Sequence, residues 1–293
     1  MEGQTARLAI PKTYKLFIGG KFPRSESGRY FVVTEPEGNH LAHVCSASRK
    51  DFRDAITASE NALPAWASAS AFLRGQILYR MAEMMESRRE SFLALHQRLG
   101  TSAGDAQADV EVAIDRLIYF AGWSDKFIPS FSGKNPVAGP FHNHSHFEPT
   151  GVVVALAPSE PALTGMTSLV ASTLVGGNTL TLICPQEVGL LALDLAEAIA
   201  VSDLPAGALN ILTGDPSELA PTIADHRAVD AVLQGAQDPE ITPILQGGSA
   251  ANLKRVHTLP PHSSWWLSSK AESPEQILLT QELKTLWHPS SSR

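Results

Sequence analysis

Between residues 151 and 215 the sequence alternates short, wholly apolar segments with longer segments of helical periodicity. The segment GVVVALAP (151–158) has no polar side chain, which is typical of a strand buried on both faces of a parallel sheet. The strand pattern recurs at 178–184 and 208–214, and the helical pattern covers 162–176 and 188–201. This alternation predicts an α/β fold built on a doubly wound parallel sheet.

The sheet predicts where a ligand would bind. In doubly wound sheets, ligands bind outside the carboxyl ends of the strands, which here are residues 157–160, 183–187 and 213–216. The chain has no G-x-G-x-x-G, P-loop or G-x-S-x-G motif, so the local pattern alone does not identify the ligand.

Composition excludes several classes of protein. Apolar residues make up 43% of the 293 residues, which is enough for a large core, and the net charge of −7 argues against nucleic-acid binding. No apolar run approaches the roughly 18–20 residues of a membrane span, and the first ten residues lack the apolar stretch of a secretory signal. With only Cys45 and Cys184, we expect a cytoplasmic protein without a disulfide framework.

The N-terminal half predicts a small strand region followed by helices. Two glycines in YKLFIGGKF (14–22) predict a tight hairpin. Ser48 is a candidate N-cap for a helix over 49–66. The spacing of apolar side chains predicts one long helix over 71–99 and another over 108–127.

Three histidines alternate along residues 141–149, so on a strand His142, His144 and His146 point to one face. Two of them could hold zinc or nickel, but Glu148 is the only further ligand nearby. We therefore favour a polar strand face at a subunit contact and predict no metal site.

Neither cysteine has the neighbours of a reactive thiol. Cys184 lies between Ile183 and Pro185, without a base or positive charge beside it, and Cys45 is a similar case. We predict two buried, unreactive thiols, the alternative being a general base supplied from elsewhere in the fold. The adjacent Trp265 and Trp266 are typical of packing or interface anchors.

Several segments, in a fixed order, resemble the aldehyde dehydrogenase superfamily. They are KTYKLFIGGKF, the helix bearing Arg74, EPTGVVVALAP, GGNTLTL, LPAGALNILTG and NLKRV, and they cover most of residues 12–259. The resemblance implies a Rossmann-like domain that binds NAD or NADP, a catalytic domain with a cysteine nucleophile and a glutamate base, and a small β-flap that mediates oligomerisation.

The resemblance also divides the chain. Residues 1–133 and 149–260 correspond to the cofactor-binding domain, and residues 134–148 and 276–289 to the oligomerisation flap strands. Residues 261–275 form a linker at the point where the family has its catalytic domain. The expected fold is therefore a Rossmann-like parallel sheet with a β-flap, without the catalytic domain.

Polar positions around the implied cofactor site differ from the family pattern. Glu160 stands where the family has an asparagine that stabilises the oxyanion, and a carboxylate would repel that charge, so no catalytic residue is assigned. The lysine that follows the second strand is replaced by Ile183, although Gln186 or Glu187 could still bond a ribose hydroxyl.

The implied phosphate positions differ too. Pro216 replaces the last glycine of a Gly-Asp-Gly turn, and the family's Phe-Thr-Gly-Ser phosphate turn becomes residues 233–236. Asp238 and Glu240 follow, and their negative charge would oppose a pyrophosphate. The candidate cofactor-binding residues that remain are Pro158, Ser159, Gln186, Glu187, Gly214 and Gly235.

These departures favour a catalytically deficient member of the family that acts as a structural or regulatory subunit. Its expected partner is a second copy or a full-length aldehyde dehydrogenase, with neither nucleic acid nor membrane involved. One alternative is an NAD(P)-dependent aldehyde oxidoreductase whose cysteine and base come from a full-length partner. The other is a nucleotide or small-molecule binding protein.

Overall fold

The computed structural model describes residues 10–235 and 237–290. Within these residues the chain forms eleven β-strands and eleven α-helices. The strands are β1 (Lys12–Tyr14), β2 (Tyr30–Thr34), β3 (His40–Cys45), β4 (Gly133–Asn135), β5 (Phe141–Pro149), β6 (Val152–Leu156), β7 (Thr179–Cys184), β8 (Leu209–Thr213), β9 (Ala231–Gln234), β10 (Arg255–Thr258) and β11 (Gln281–Pro289). The helices are α1 (Arg49–Ser68), α2 (Ala71–Ser87), α3 (Arg89–Arg98), α4 (Ala103–Ala121), α5 (Phe127–Phe131), α6 (Ala162–Val175), α7 (Gly189–Ile199), α8 (Pro216–Asp225), α9 (Ile241–Asn252), α10 (Ser263–Trp266) and α11 (Glu275–Leu278).

The central sheet has five parallel strands in the order β10-β9-β6-β7-β8. The chain runs from β6 outward through β7 to β8, and then returns to the other side of β6 with β9 and β10. The predicted α/β, doubly wound, Rossmann-like sheet is confirmed. Its reversal point lies between β6 and β9, which is where ligands bind in folds of this kind.

Both faces of the sheet are covered because its strands are apolar on both sides. Val153 and Ala155 of β6 belong to the core formed with α4, α6 and α7. Val152 and Val154 belong to the core on the opposite face, with α1 and α8. All five residues of β6 are buried, as the unbroken apolar segment predicts.

The N-terminal region differs in part from the prediction. A tight turn does form at Gly19 and Gly20, which have φ of 57° and 73°, and the amide of Ile18 donates to the carbonyl of Lys21 at 2.9 Å. The flanking residues do not form a long hairpin, because Phe17 pairs instead with Ile211 of β8. The sheet here has the order β1-β3-β2.

The single long helix predicted over 71–99 is wrong, because the chain breaks at Arg88 into α2 and α3. Arg88 has φ of −111° and ψ of 12°, and its amide bonds the carbonyl of Met85, three residues back. The helix predicted over 108–127 begins earlier, at Ala103, because the side chain of Ser102 caps it. It ends at Ala121, before Gly122.

A second three-stranded sheet, with the order β11-β5-β4, contains strands from both segments predicted for the flap, and we call it the flap sheet, or flap. β11 pairs antiparallel with β5 along all nine residues, from Gln281 opposite Pro149 to Pro289 opposite Phe141. β5 is the middle strand, so β11 is an edge strand among the residues that the structure describes.

Residues 261–275, predicted as a linker, pack against the core as α10 and a short 3₁₀ turn at Ser269–Ala271. Trp266 is 1% exposed, and its carbonyl accepts a 2.7 Å hydrogen bond from the buried guanidinium of Arg116. Trp266 is thus a packing anchor. No helix among the described residues is long and apolar enough to cross a membrane.

Candidate functional site

A cleft of about 590 Å³ lies at the carboxyl end of the central sheet. The loops after β6, β7, β8 and β9 form it, together with the first turns of α8 and α9. Its lining comprises Leu156, Ala157, Pro158, Ser159, Pro185, Gln186, Glu187, Gly214, Asp215, Pro216, Ser217, Gln237, Asp238, Glu240 and Ile241. The cleft therefore occupies the position that the strand ends predict.

Five of the six candidate cofactor-binding residues lie in this lining: Pro158, Ser159, Gln186, Glu187 and Gly214. The sixth, Gly235, lies behind it, where its amide donates to the carbonyl of Leu156 at 2.8 Å. A Cβ at Gly235 would lie 2.6 Å from Cδ of Pro158, so glycine is required by packing. The structure thus brings the six residues together; that any of them binds a cofactor stays a prediction.

Glu160 is exposed and lies just outside the lining. Its backbone carbonyl accepts a 3.4 Å hydrogen bond from the hydroxyl of Ser263, at the start of α10. The position implied for the oxyanion-binding side chain is therefore a solvent-facing carboxylate beside the 261–275 segment.

Gly214 has a backbone conformation that side chains rarely adopt, with φ of 149°. Its amide donates to the carbonyl of Cys184 at 3.1 Å, which continues the pairing of β8 with β7 by one residue. Asp215 then caps α8, and its Oδ1 accepts from the amide of Ser217 at 2.8 Å. Pro216 has no amide hydrogen to offer a ligand.

Asp238 lies just before α9, two residues ahead of its N-cap residue Glu240. Its Oδ1 accepts hydrogen bonds from the amides of Glu240 at 2.8 Å and Ile241 at 2.9 Å. These are amide groups of the kind that bind phosphate at a helix N-terminus. In this chain they are already bonded to a carboxylate of the protein itself.

The charged side chains of the described lining are all negative. Glu187, Asp215, Asp238 and Glu240 contribute carboxylates, and the lining contains no lysine, arginine or histidine among the described residues. A dinucleotide carries a pyrophosphate that needs free amides or cations. The residues present therefore do not fit the NAD or NADP that the resemblance implies.

Two buried polar residues that the sequence analysis missed hold the cleft in shape. Gln234, which is fully buried at the end of β9, donates from Nε2 to the hydroxyl of Thr242 at 3.1 Å and accepts from the hydroxyl of Thr258 at 3.1 Å. It ties β9 to α9 and β10. The sequence feature that could have identified Gln234 is its position as the one polar residue, at the end of the segment AVLQ (231–234).

Asp109 of α4 is the second. Its two carboxylate oxygens accept hydrogen bonds from the amides of Leu163 at 2.9 Å and Thr164 at 2.7 Å, at the start of α6. Burial alone would raise the pKa of Asp109, but hydrogen bonds from His96 and these amides outweigh it and hold the pKa below its ordinary value. Asp109 thus fixes the helix that follows the Pro158–Pro161 loop of the cleft.

Both cysteines are buried free thiols, as predicted, and neither lines the cleft. Cys184 is fully buried at the end of β7, where its Sγ lies 3.7 Å from Sδ of Met166. Burial strongly raises the pKa of Cys184, so at neutral pH the group is a thiol and not a nucleophilic thiolate.

The three histidines lie on β5, with His142 opposite His288 of β11. The rings of His144 and His146 stack with centroids 5.8 Å apart, and Nε2 of His146 lies 3.0 Å from the carboxylate of Glu148. Among the described residues, no three side chains of metal-binding type are grouped to hold an ion.

Comparison with known proteins supplies a family. The family model "Aldehyde dehydrogenase family" matches residues 22–259. DhaS of Bacillus subtilis (strain 168), which is named as an aldehyde dehydrogenase, is 31% identical over 251 residues, covering 83% of this chain and 50% of DhaS. Retinal dehydrogenase 2 of Gallus gallus is 30% identical over 259 residues, covering 86% of this chain and 49% of that protein.

Solved structures agree in fold. The NAD⁺ complex of an aldehyde dehydrogenase from Bacillus cereus superposes with a TM-score of 0.78 at 25% identity, covering 85% of this chain and 51% of that one. The chain therefore spans about half the length of the relatives it matches.

Proposed function

Because the chain belongs to the aldehyde dehydrogenase family, we propose that it is a catalytically deficient member that acts as a structural subunit and assembles through the free edge of β11. The observation that carries this proposal is the nature of that edge. The chemistry of the cleft supplies the argument against catalysis.

The argument against catalysis rests on the thiols and the cleft. The chain has two cysteines, both are buried, and the cleft lining contains no thiol. Aldehyde oxidation by the family mechanism begins with attack of a thiolate on the carbonyl carbon. No cysteine in this chain is placed to make that attack, so the isolated protein is expected to have no dehydrogenase turnover.

The edge of β11 favours association. Three large apolar side chains of this edge strand are exposed: Leu283 (56%), Leu286 (58%) and Trp287 (61%). Exposed apolar side chains on an edge strand favour its pairing with a strand of another chain. Among the described residues, no strand pairs with the outer side of β11. An exposed edge of nine residues has enough backbone donors and acceptors to add a strand from another chain.

A second copy of β11 is chemically complementary to the first. If two copies pair antiparallel about Thr285, Leu283 of one faces Trp287 of its partner. The same register sets Glu282 of one opposite His288 of its partner. Apolar pairs stabilise antiparallel strands, and an imidazole can donate a hydrogen bond to a carboxylate. The register therefore supports a two-fold assembly in which the flap sheets of two copies join.

The double variant L283E/W287E tests this assembly. It places like charges across the proposed pair, so we expect at least about a ten-fold weaker association, measured by sedimentation equilibrium. The matched control is F72E/Y79E, because Phe72 and Tyr79 are 68% and 51% exposed on α2, which packs against α4, α6 and α7. Equal association of the wild type and L283E/W287E would contradict the role of β11.

Turnover is measured separately, with NAD or NADP and a panel of aldehydes. The expected result is no reduction of either cofactor by the purified chain; reduction that depends on aldehyde would overturn catalytic deficiency. Mixing the chain with a full-length aldehyde dehydrogenase then distinguishes a homo-oligomer from a mixed complex.

A cytoplasmic location is part of the proposal, supported by the two free cysteines.

A further inference from the structure

The starts of α8 and α9 both face the cleft, and helix starts are where protein amides bind phosphate. Asp215 lines the cleft at α8 and Asp238 lines it at α9. Each carboxylate accepts backbone amides of its own helix. The two positions that could bind an anion in this cleft therefore already hold one.

The carboxylate of Asp238 is held firmly in place. Besides the bonds that Oδ1 accepts, the backbone amide of Asp238 lies 3.2 Å from the hydroxyl of Thr242, to which it donates. That hydroxyl in turn accepts from Gln234, which is fully buried. The Asp238 cap is thus part of a network that reaches the end of β9. A phosphate could take its amides only by breaking this network.

No cation among the described lining residues offsets the charge. Glu240 follows Asp238 by two residues, and Glu187 lies on the loop after β7, which also lines the cleft. A phosphate in the cleft would approach several carboxylates without a lysine or arginine to pair with it.

We propose that Asp238 is the residue that closes this cleft to dinucleotides, by occupying the amides at the start of α9 and repelling phosphate. Glu240 adds to the repulsion. The ligands that the cleft tolerates are consequently those without phosphate. This proposal goes beyond the proposed function, because it concerns the cleft and holds whether or not β11 mediates assembly.

The test is calorimetric titration of NAD, with adenosine as an uncharged probe, into the full chain and three variants. D238A/E240Q removes both charges and frees the amides of residues 240 and 241 from the side chain that occupies them. D238N removes the Asp238 charge with almost no change of shape, and serves if the double variant fails to fold. E83Q/E90Q is the matched control, because both glutamates are exposed on α2 and α3 and lie outside the cleft.

We expect the wild type and E83Q/E90Q to give no saturable NAD binding in the micromolar range. D238A/E240Q should bind NAD at least about ten-fold more tightly than the wild type, and D238N, which keeps an acceptor oxygen at residue 238, should show part of that gain. The affinity for adenosine should change by less than about two-fold, because adenosine carries no phosphate. Micromolar NAD binding by the wild type, or folded variants with no gain, would overturn the proposal.

Discussion

Asp109 illustrates how a residue outside the cleft determines its shape. It lies on α4, yet its carboxylate caps α6, whose first turn follows the loop that contains Pro158 and Ser159. Its side chain is 6% exposed, and Nε2 of His96 lies 3.3 Å from Oδ2. The hydrogen-bond donors around this buried carboxylate stabilise its charged form. The contribution of Asp109 to stability, and with it the anchoring of α6 beside the cleft, therefore depends on pH.

The variant D109N tests this link. At pH 7 we expect a loss of about 2–3 kcal/mol in the free energy of unfolding, because an amide cannot accept from both backbone donors as a carboxylate does. The pKa of folded Asp109 lies below the ordinary value of 3.8, so its contribution is present above that pH and is lost as the pH falls through the folded pKa. The difference between D109N and wild type should therefore shrink in acid.

Urea unfolding of both proteins from neutral to acidic pH measures the effect. The control is D115N, because Asp115 is an exposed carboxylate on the same helix, outside its N-terminal cap, and its replacement should change stability by less than about 0.5 kcal/mol. A D109N difference that is independent of pH would contradict the charged state of Asp109.

The sequence predicts the residues that line the cleft better than those that support it. Pro158, Gln186 and Gly214 follow apolar strands, so their place at the edge of the sheet follows from strand order alone. Asp109 gives no such local signal, because its partners Leu163 and Thr164 lie more than fifty residues further along the chain. Only the tertiary packing of α4 against α6 brings them together.

Among the elements, the segment 261–275 departs furthest from its predicted role. A linker needs no fixed contacts, but this segment is bonded to α4 through Arg116, which is fully buried. The guanidinium donates to the carbonyls of Trp266 and Ser268 and forms an ion pair with Glu272 at 3.3 Å. The segment therefore stabilises the domain that it crosses and is not a tether.

The variant R116M should destabilise the chain by about 2–4 kcal/mol, because it leaves two carbonyls and a carboxylate without their partner. Urea unfolding followed by tryptophan fluorescence measures this, since Trp265 and Trp266 lie in the segment. R227M is the control, because Arg227 is exposed and its replacement should cost less than about 0.5 kcal/mol. Equal stability of R116M and wild type would show that the segment is a tether after all.

Element boundaries follow the sequence where one local signal dominates. β5 spans Phe141–Pro149, the segment whose histidines alternate in the sequence, and Ser48 caps α1 as predicted. The break at Arg88 was not predictable in this way, because the apolar spacing continues across it. There the helix ends through a backbone bond to Met85 that leaves no mark on the apolar pattern.

At the scale of the whole molecule, the chain has a five-stranded parallel sheet that superposes on part of a solved aldehyde dehydrogenase, and neither cysteine lines the cleft. The apolar strands β6, β7 and β8 are fully buried, which explains why the fold could be predicted from the sequence. The proposed function rests on the side chains at the strand ends and on the exposed edge of β11. These features together favour assembly as the role of the chain.

Amide hydrogen exchange along residues 281–289 tests the assembly most directly. Half of the amides of an edge strand point away from its neighbour, so they exchange quickly in a monomer and slowly in an assembly. We predict that these outward amides of β11 become protected as the wild-type protein is concentrated, and stay unprotected in L283E/W287E. Fast exchange of the outward amides at every concentration of the wild type would contradict assembly through β11.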